Sequence, residues 1–282
     1  MKVAFSSLGC PAWDLDTICR RGQEYGYDGV DIRGYLDTVD VTRLPLFTTH
    51  VAEVRRKLAD AGLATSGIST SIKVCDAASL QNNLEEARRT ITLARELGTS
   101  NLRVFGGGDL SAHSREELAK IGCDTVEQLL ALDGAAEMHW LFETHDNWVK
   151  ASDCRLLLDN IPNPAFGALW DMGHTPRVGG ETPQETYAAI GPRVGYTHVK
   201  DAAFDPNHPR AMSENFDGKA VVGWYYVFPG QGQLPLAEAI ALLKSNGYDG
   251  WLMFEHEKRW HPNLAEPEEA FPAYANWVRS LI

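Results

Sequence analysis

Four buried, strand-like runs in the second half of the sequence each end in side chains that could bind a metal ion. These ends read FETH, WDMGH, THVKD and FEHE. The candidate ligands in them are Glu143, Asp171, His198 and Glu255. Three carboxylates that converge beside one imidazole repel one another unless a positive charge lies between them. A divalent cation supplies that charge, and this oxygen-rich ligand set suits Mn²⁺, Mg²⁺, Co²⁺ or Zn²⁺.

Other polar side chains at the same strand ends are candidates for contact with a substrate. Lys200 lies two positions after His198 and therefore on the same side of its strand. Its ammonium group suits a substrate hydroxyl, carboxylate or phosphate, or alternatively an ion pair with a carboxylate of the site. His174 ends the WDMGH run, and His145 and His256 follow two of the other ligands. We expect His145 and His256 either to contact a substrate or to serve as structural histidines.

The alternation of side chains along a strand explains how the ligands could face one point. Residues two positions apart lie on the same side of a strand. Three ligands are preceded in this way by an apolar residue: Leu141 with Glu143, Leu169 with Asp171, and Met253 with Glu255. In a closed barrel, we expect the apolar residue to fill the interior and the ligand to reach the mouth.

Eight strand-like segments alternate with segments of helical spacing. Strands are predicted at residues 3–7, 29–33, 64–69, 101–105, 139–143, 166–170, 195–200 and 250–255. Between two of them, Leu84, Ala87, Ile91 and Ala94 recur at the spacing of one helix face. The string GYDG occurs twice between a predicted helix and a strand, where glycine suits a left-handed helix cap. Eight such units predict a parallel (β/α)₈ TIM barrel, and we expect residues 1–282 to form one α/β domain.

A doubly wound open sheet is the alternative arrangement of strands and helices. That fold usually carries a glycine-rich phosphate loop after its first strand. Here the first strand runs into SSLGCPAW, and the later FGGGD lacks the GxGxxG spacing. The sequence therefore favours the barrel, with FGGGD as a tight loop.

Composition and charge argue against several classes of partner. The chain has 282 residues, 44% of them hydrophobic, which is enough for a large core. Its formal net charge of -12 disfavours nucleic acid and anionic membranes, because phosphate contacts need a basic surface. We find no apolar run of signal-peptide or membrane-spanning length, so a cytoplasmic location is expected. The five cysteines are odd in number and include no CxxC pair, which predicts reduced thiols.

The order of Glu, Asp-x-x-His, His-x-Lys-Asp and Glu at successive strand ends resembles the xylose isomerase-like TIM barrels, the group of sugar phosphate isomerases and epimerases. The resemblance runs from AFSSLG at the first strand to GQGQLPLAEAIALLKSNGYDGWLMFEHE at the last. It implies that the four candidate ligands hold one metal ion and that His174 reaches a substrate oxygen. Relatives are often dimers or larger, which leaves a homo-oligomer as an option.

The resemblance implies a metal-dependent isomerase or epimerase of a small sugar or related polyhydroxy carbonyl compound, with a role in carbohydrate metabolism. A metal that binds a carbonyl and the adjacent hydroxyl acidifies the C–H bond between them and stabilises the enediolate. Glu143 and Glu255 would be the catalytic proton carriers, because a carboxylate can bind metal through one oxygen and keep the other free. Two alternatives stay open: an inosose-type dehydratase, which is a lyase, and a barrel that binds metal and sugar without turnover.

The sequence departs from two groups of relatives. Ketose 3-epimerases carry a second glutamate after the fifth strand and an arginine after the histidine of the seventh, whereas this chain has FETHDNWVK and THVKDAAFD. Endonuclease IV carries further histidines after the third and fourth strands, which end here in SIST and RVFGGG. DNA repair is therefore not expected.

Residues 201–233 form an unusually long connection after the seventh strand. Loops between a strand and a helix in such folds usually have about 2 to 6 residues. The segment is rich in aromatic residues, among them Phe216, Trp224 and Tyr226. We expect it to form a cover over the pocket or a contact between subunits.

Overall fold

The computed structural model describes residues 1–216 and 218–282 and contains a closed barrel of parallel strands. The barrel strands are β1 (Lys2–Ser6), β2 (Gly29–Ile32), β3 (Ala64–Lys73), β4 (Asn101–Phe105), β5 (His139–Glu143), β6 (Phe166–Asp171), β7 (Val194–Val199) and β11 (Trp251–Phe254). β11 closes the barrel by pairing with β1 on one side and β7 on the other. The predicted TIM barrel is confirmed. β3 extends further than predicted because its pairing with β4 shifts register and resumes at Lys73.

One α-helix follows each barrel strand along the chain. The helices are α1 (Leu15–Glu24), α2 (Val51–Asp60), α3 (Leu80–Leu97), α4 (Arg115–Leu130), α5 (Ala151–Asn160), α6 (Pro183–Ile190), α7 (Leu236–Ser245) and α8 (Pro267–Arg279). Gly98 takes the left-handed conformation after α3, which lets the chain leave the helix and enter β4. Among the described residues, none of these helices has the length and hydropathy needed to cross a membrane.

The core has an outer and an inner layer. The outer layer packs the helices on the barrel, and it includes the predicted face of α3. The inner layer is a small cluster inside the barrel, formed by Ala4, Leu141, Leu169, Tyr196 and Met253. Four of these residues lie two positions before a candidate ligand. The barrel interior is therefore filled directly beneath the ligands, as the alternation of the strands predicts.

The long connection after β7 folds into a three-stranded antiparallel sheet, called the insert below. Its strands are β8 (Asp201–Phe204), β9 (Met212–Phe216) and β10 (Lys219–Val227), with β10 in the middle. Asp201 joins the two ends of the insert, because its carboxylate accepts hydrogen bonds from the backbone N–H groups of Gly230 (2.8 Å) and Gly232 (2.9 Å). The insert leaves and rejoins the barrel at nearly the same place.

The glycine loop after β4 packs closely against Trp148, which is fully buried. The Trp148 indole N–H donates to the carbonyl of Gly107 at 2.9 Å. A Cβ atom on Gly106 would lie 2.0 Å from Trp148 Cδ1. Only glycine fits at Gly106 without displacing the indole. This contact fixes the position of Trp148 in the segment that follows Glu143.

We expect Gly106→Ala to lower the free energy of unfolding by about 1–3 kcal/mol, because the added methyl group overpacks a buried contact. Denaturant unfolding followed by tryptophan fluorescence measures this loss. Gly179→Ala is the control, since its added Cβ would meet no atom closer than 3.6 Å. Equal stability of the two variants would contradict the account of the Gly106 contact.

Candidate metal centre and active site

The four candidate ligands meet at the carboxyl end of the barrel. One ligand atom from each lies within 4.8 Å of those of the others, and all four side chains are buried. The members of this ligand cluster are Glu143, Asp171, His198 and Glu255. The first two end β5 and β6, the third lies in β7, and the fourth directly follows β11. The cluster is therefore held by four strands of one rigid barrel.

His198 lies between two of the carboxylates. Its Nδ1 atom is 3.0 Å from Glu143 Oε1 and 3.0 Å from Glu255 Oε1. Burial favours the neutral imidazole, but the two carboxylate charges outweigh it and raise the pKa of His198 to about 10. The two carboxylates thus strongly favour a positive charge at the position between them.

The His198 Nε2 atom is buried and has no hydrogen-bond partner among the described residues, whereas Asp171 Oδ2 and Glu255 Oε2 are buried beside the Lys200 ammonium. A buried polar atom is rarely left unpaired, because the loss of solvation is not compensated. Carboxylate oxygens with one imidazole nitrogen form a ligand set that suits a divalent ion. The residues present therefore fit the predicted metal ion, and the cluster could hold one.

Lys200 contacts the ligand cluster from its outer side. Its Nζ atom lies 2.9 Å from Asp171 Oδ2, 2.6 Å from Glu255 Oε2 and 2.6 Å from Glu257 Oε1. Burial disfavours the ammonium form, but the three carboxylates outweigh it and hold the pKa of Lys200 well above its ordinary value. The ion pair that the sequence left as an alternative is thus present. Glu257 was missed, although it lies two positions after Glu255 and shares its side of the chain.

His174 is fixed by the turn that follows β6. The Asp171 carboxylate accepts hydrogen bonds from the backbone N–H groups of Gly173 (2.7 Å) and His174 (3.0 Å). The His174 Nδ1 atom lies 3.1 Å from Asp171 Oδ2 and 3.2 Å from the carbonyl oxygen of Thr144. Burial and the charge of Lys200 lower the pKa of His174 well below its ordinary value. A neutral ring with Nδ1 beside two acceptors carries its proton there, so Nε2 is free to accept a hydrogen bond.

The structure separates His145 from His256. The His145 ring lies 4.8 Å from the His174 ring, and its Nδ1 atom is 2.6 Å from Asp146 Oδ1. Asp146 has a φ of 52°, an unusual backbone conformation for a residue with a side chain. His256 Nε2 instead contacts the carbonyl oxygen of Ala265 at 2.8 Å. His145 therefore belongs to the site, whereas His256 supports the loop behind it.

Two buried arginines also lie near the ligand cluster: Arg103 in β4 and Arg33, which directly follows β2. Arg103 Nε is 3.4 Å from Glu143 Oε2, and Arg33 donates to the Ser71 hydroxyl at 3.0 Å. Burial and the charge of Arg103 lower the pKa of Arg33 to about 10. Arg103 thereby balances part of the charge of Glu143. Alternation along β4 does not reveal this role, because Arg103 lies in the middle of the strand.

The insert lies over the ligand cluster. The Phe216 ring packs 5.6 Å from the His145 ring and 5.1 Å from the His174 ring. The Tyr226 ring lies 5.9 Å from Lys200 Nζ, and its hydroxyl group is 3.4 Å from Glu257 Oε1. The insert thus covers the groups around the ligand cluster, which agrees with one of the two roles expected for it. Contact between subunits stays a prediction.

The chain matches the model of a known family over most of its length. Residues 19–281 fit the family described as xylose isomerase-like TIM barrel. The chain belongs to this family. The resemblance seen in the sequence is therefore confirmed, and the family barrel is the scaffold that places the ligand cluster and the insert.

Three similar proteins show how far the likeness within the family extends. The 3-dehydroshikimate dehydratase of Pseudomonas putida is 25% identical over 238 residues, 82% of this chain and 34% of that protein. Inosose dehydratase 1 of Bacillus cereus is 30% identical over 126 residues, 44% of this chain and 40% of that protein. The chain thus spans less than half the length of either relative. The solved IOLI protein with a zinc atom superposes with a TM-score of 0.77 at 15% identity, over 100% of this chain and 98% of that chain, which shows the shared fold.

We expect the purified protein to bind about one divalent ion per chain, and His198→Ala and Asp171→Asn to abolish that binding, because each change removes a ligand. Elemental analysis after incubation with Mn²⁺, Co²⁺, Mg²⁺ or Zn²⁺ and dialysis measures the content. His139→Ala is the matched control, since His139 is exposed at the opposite end of a barrel strand. A wild type that retains no ion, or a His198→Ala variant that retains it fully, would refute the metal site.

Proposed function

We propose that this chain is a divalent-metal-dependent dehydratase of a small, sugar-like polyhydroxy carbonyl compound. Such an enzyme removes a proton from the carbon beside a carbonyl group and expels the β-hydroxyl as water. The observation that carries the proposal is the ion pairing of Lys200 Nζ with both Asp171 and Glu255. It places a buried proton donor against the ligand cluster, and loss of a hydroxyl group requires a donor.

The residues divide the work between a base and an acid. When bound by Glu143, Asp171, His198 and Glu255, a divalent ion supplies the Lewis acidity that weakens a C–H bond beside a carbonyl. Glu143 or Glu255 takes the proton, since each carboxylate has a second oxygen. Lys200 gives a proton to the departing hydroxyl group. A base and an acid on neighbouring strand ends can thus act on adjacent carbons.

The remaining polar residues orient the substrate and exclude water. Neutral His174 accepts a hydrogen bond from a substrate hydroxyl at its free Nε2 atom. The Nδ1 atom of His145 is engaged by Asp146, which leaves its Nε2 atom for the substrate. Phe216 and Tyr226 cover these groups. Exclusion of water strengthens the electrostatic interactions beneath them.

Two comparisons support dehydration over the other outcomes of proton abstraction. The similar proteins from Pseudomonas putida and Bacillus cereus are both dehydratases. In addition, the second glutamate and the arginine typical of ketose 3-epimerases are replaced in FETHDNWVK and THVKDAAFD. The metal identity, the cytoplasmic location, the lack of nucleic-acid and membrane partners, and the single domain at 1–282 stay predictions.

Isomerisation or epimerisation is the second candidate, and it is favoured by the symmetry of two carboxylates. Glu143 and Glu255 each place an oxygen 3.0 Å from the same His198 Nδ1 atom. One of them could remove a proton and the other return it. Return to the opposite face epimerises, and return to the neighbouring carbon isomerises.

We expect the metal-loaded enzyme to exchange a substrate C–H with solvent deuterium and to release a product lighter by one water. Mass spectrometry and proton NMR measure both on a panel that includes 3-dehydroshikimate, an inosose and simple ketoses. Glu143→Gln and Glu255→Gln should slow exchange by at least about 100-fold, the usual contribution of a general base. Exchange with a product of unchanged mass would favour the isomerase, whereas binding without exchange would reduce the chain to a sugar-binding barrel.

We expect Lys200→Gln to retain deuterium exchange but to lose water release by about 100-fold or more, because only the second step needs the acid. Lys200→Arg keeps the charge and tests whether pairing with Asp171 and Glu255 alone is enough. Metal content is measured in both variants, so that loss of the ligand cluster is recognised. Equal loss of exchange and water release at full metal content would contradict the role of Lys200 as the acid.

A further inference from the structure

Arg177 is a buried cation beside the site that the proposed reaction does not use. It lies in a π-helical turn, Thr175–Gly179, that begins directly after His174. Only 6% of the residue is exposed. Its guanidinium lies between two aromatic rings of the insert, 5.5 Å from Phe216 and 5.6 Å from Tyr226. Its Nη1 atom pairs with the carboxylate of Glu214 on β9.

The other edge of this guanidinium has no hydrogen-bond partner in the part of the chain that the structure describes. Nε and Nη2 of Arg177 are both buried and unpaired. Burial of a charged donor without a partner is costly. The rings of Phe216 and Tyr226 interact with the cation through their π-systems, which does not replace in-plane acceptors for its N–H groups. The described residues therefore provide no hydrogen-bond acceptor for this edge of the guanidinium.

Arg177 shares both of its aromatic neighbours with groups next to the ligand cluster. Phe216, which packs on Arg177, also packs 5.1 Å from the His174 ring. Tyr226, which packs on the other side, lies 5.9 Å from Lys200 Nζ. The same two rings thus touch Arg177, the substrate-binding candidate His174 and the proposed acid Lys200. One aromatic ring separates Arg177 from each of the two groups proposed to act on the substrate.

We propose that Arg177 binds a carboxylate group of the substrate through Nε and Nη2, so that the enzyme selects acidic polyhydroxy carbonyl compounds. This inference rests on the proposed function. Nε and Nη2 lie on one edge of a planar fork, and a carboxylate matches such a fork with two parallel hydrogen bonds. Glu214 already balances part of the charge of Arg177, which favours a planar monoanion over a phosphate dianion.

The test compares 3-dehydroshikimate with its carboxamide, which keeps the ring and removes the charge. Arg177→Gln should raise KM for the acid by about tenfold or more, since charge-assisted hydrogen bonds are lost, and should leave KM for the amide nearly unchanged. Arg177→Lys should give an intermediate value, because it keeps the charge but not the fork. Arg210→Gln is the control, an exposed arginine on the same insert, and should change neither substrate.

Binding without turnover separates this inference from the proposed function. Shikimate and its methyl ester lack the ketone, and calorimetric titration of each gives an affinity whether or not the enzyme is a dehydratase. The inference requires wild type to prefer the acid by about tenfold or more and Arg177→Gln to lose that preference at unchanged metal content. Equal weakening of acid and ester would leave Arg177 as a structural clamp and overturn the inference, as would an unchanged preference. Preserved acid preference in a protein without deuterium exchange would reject the proposed function alone.

Discussion

The burial of three carboxylates at one end of the barrel is the constraint on which the rest of the structure depends. Glu143, Asp171 and Glu255 are withdrawn from water, and each would favour its neutral form without nearby positive charge. Burial raises the pKa of Asp171 to about 6 even against the charge of Lys200. The imidazole of His198, the ammonium of Lys200 and the guanidinium of Arg103 lie next to these acids, and a bound divalent cation would complete this balance. The site is thus an arrangement of opposed charges that needs a rigid barrel to hold it.

The barrel and the position of the ligand cluster follow from short-range patterns in the sequence. The alternation of Leu169 with Asp171, and of Met253 with Glu255, separates the filled interior from the mouth, because side chains two positions apart face the same way. Eight strands that alternate with helices leave few arrangements other than a closed barrel. These features depend on local geometry, so a single sequence contains them.

The contacts between distant segments do not follow from such patterns. Arg177 lies in an irregular turn, where no period indicates which way a side chain points, and its partner Glu214 is 37 positions away on the insert. The aromatic content of the insert indicated a cover or an interface, but the pairing of β8, β9 and β10 decided that it lies over His145 and His174. Glu257 was within reach of the alternation rule. Its ion pair with Lys200 joins two segments that are 57 positions apart in the sequence.

Asp201 makes the insert a self-contained segment. Its carboxylate holds the backbone at Gly230 and Gly232, so the chain returns to its point of departure before α7 begins. We therefore expect changes of length or sequence within the insert to leave the register of the eight barrel strands unchanged. The segment that covers the ligand cluster is in this sense separate from the strands that carry the cluster. Under the proposed function, replacement of this one segment would change the cover over the substrate without moving the candidate ligands.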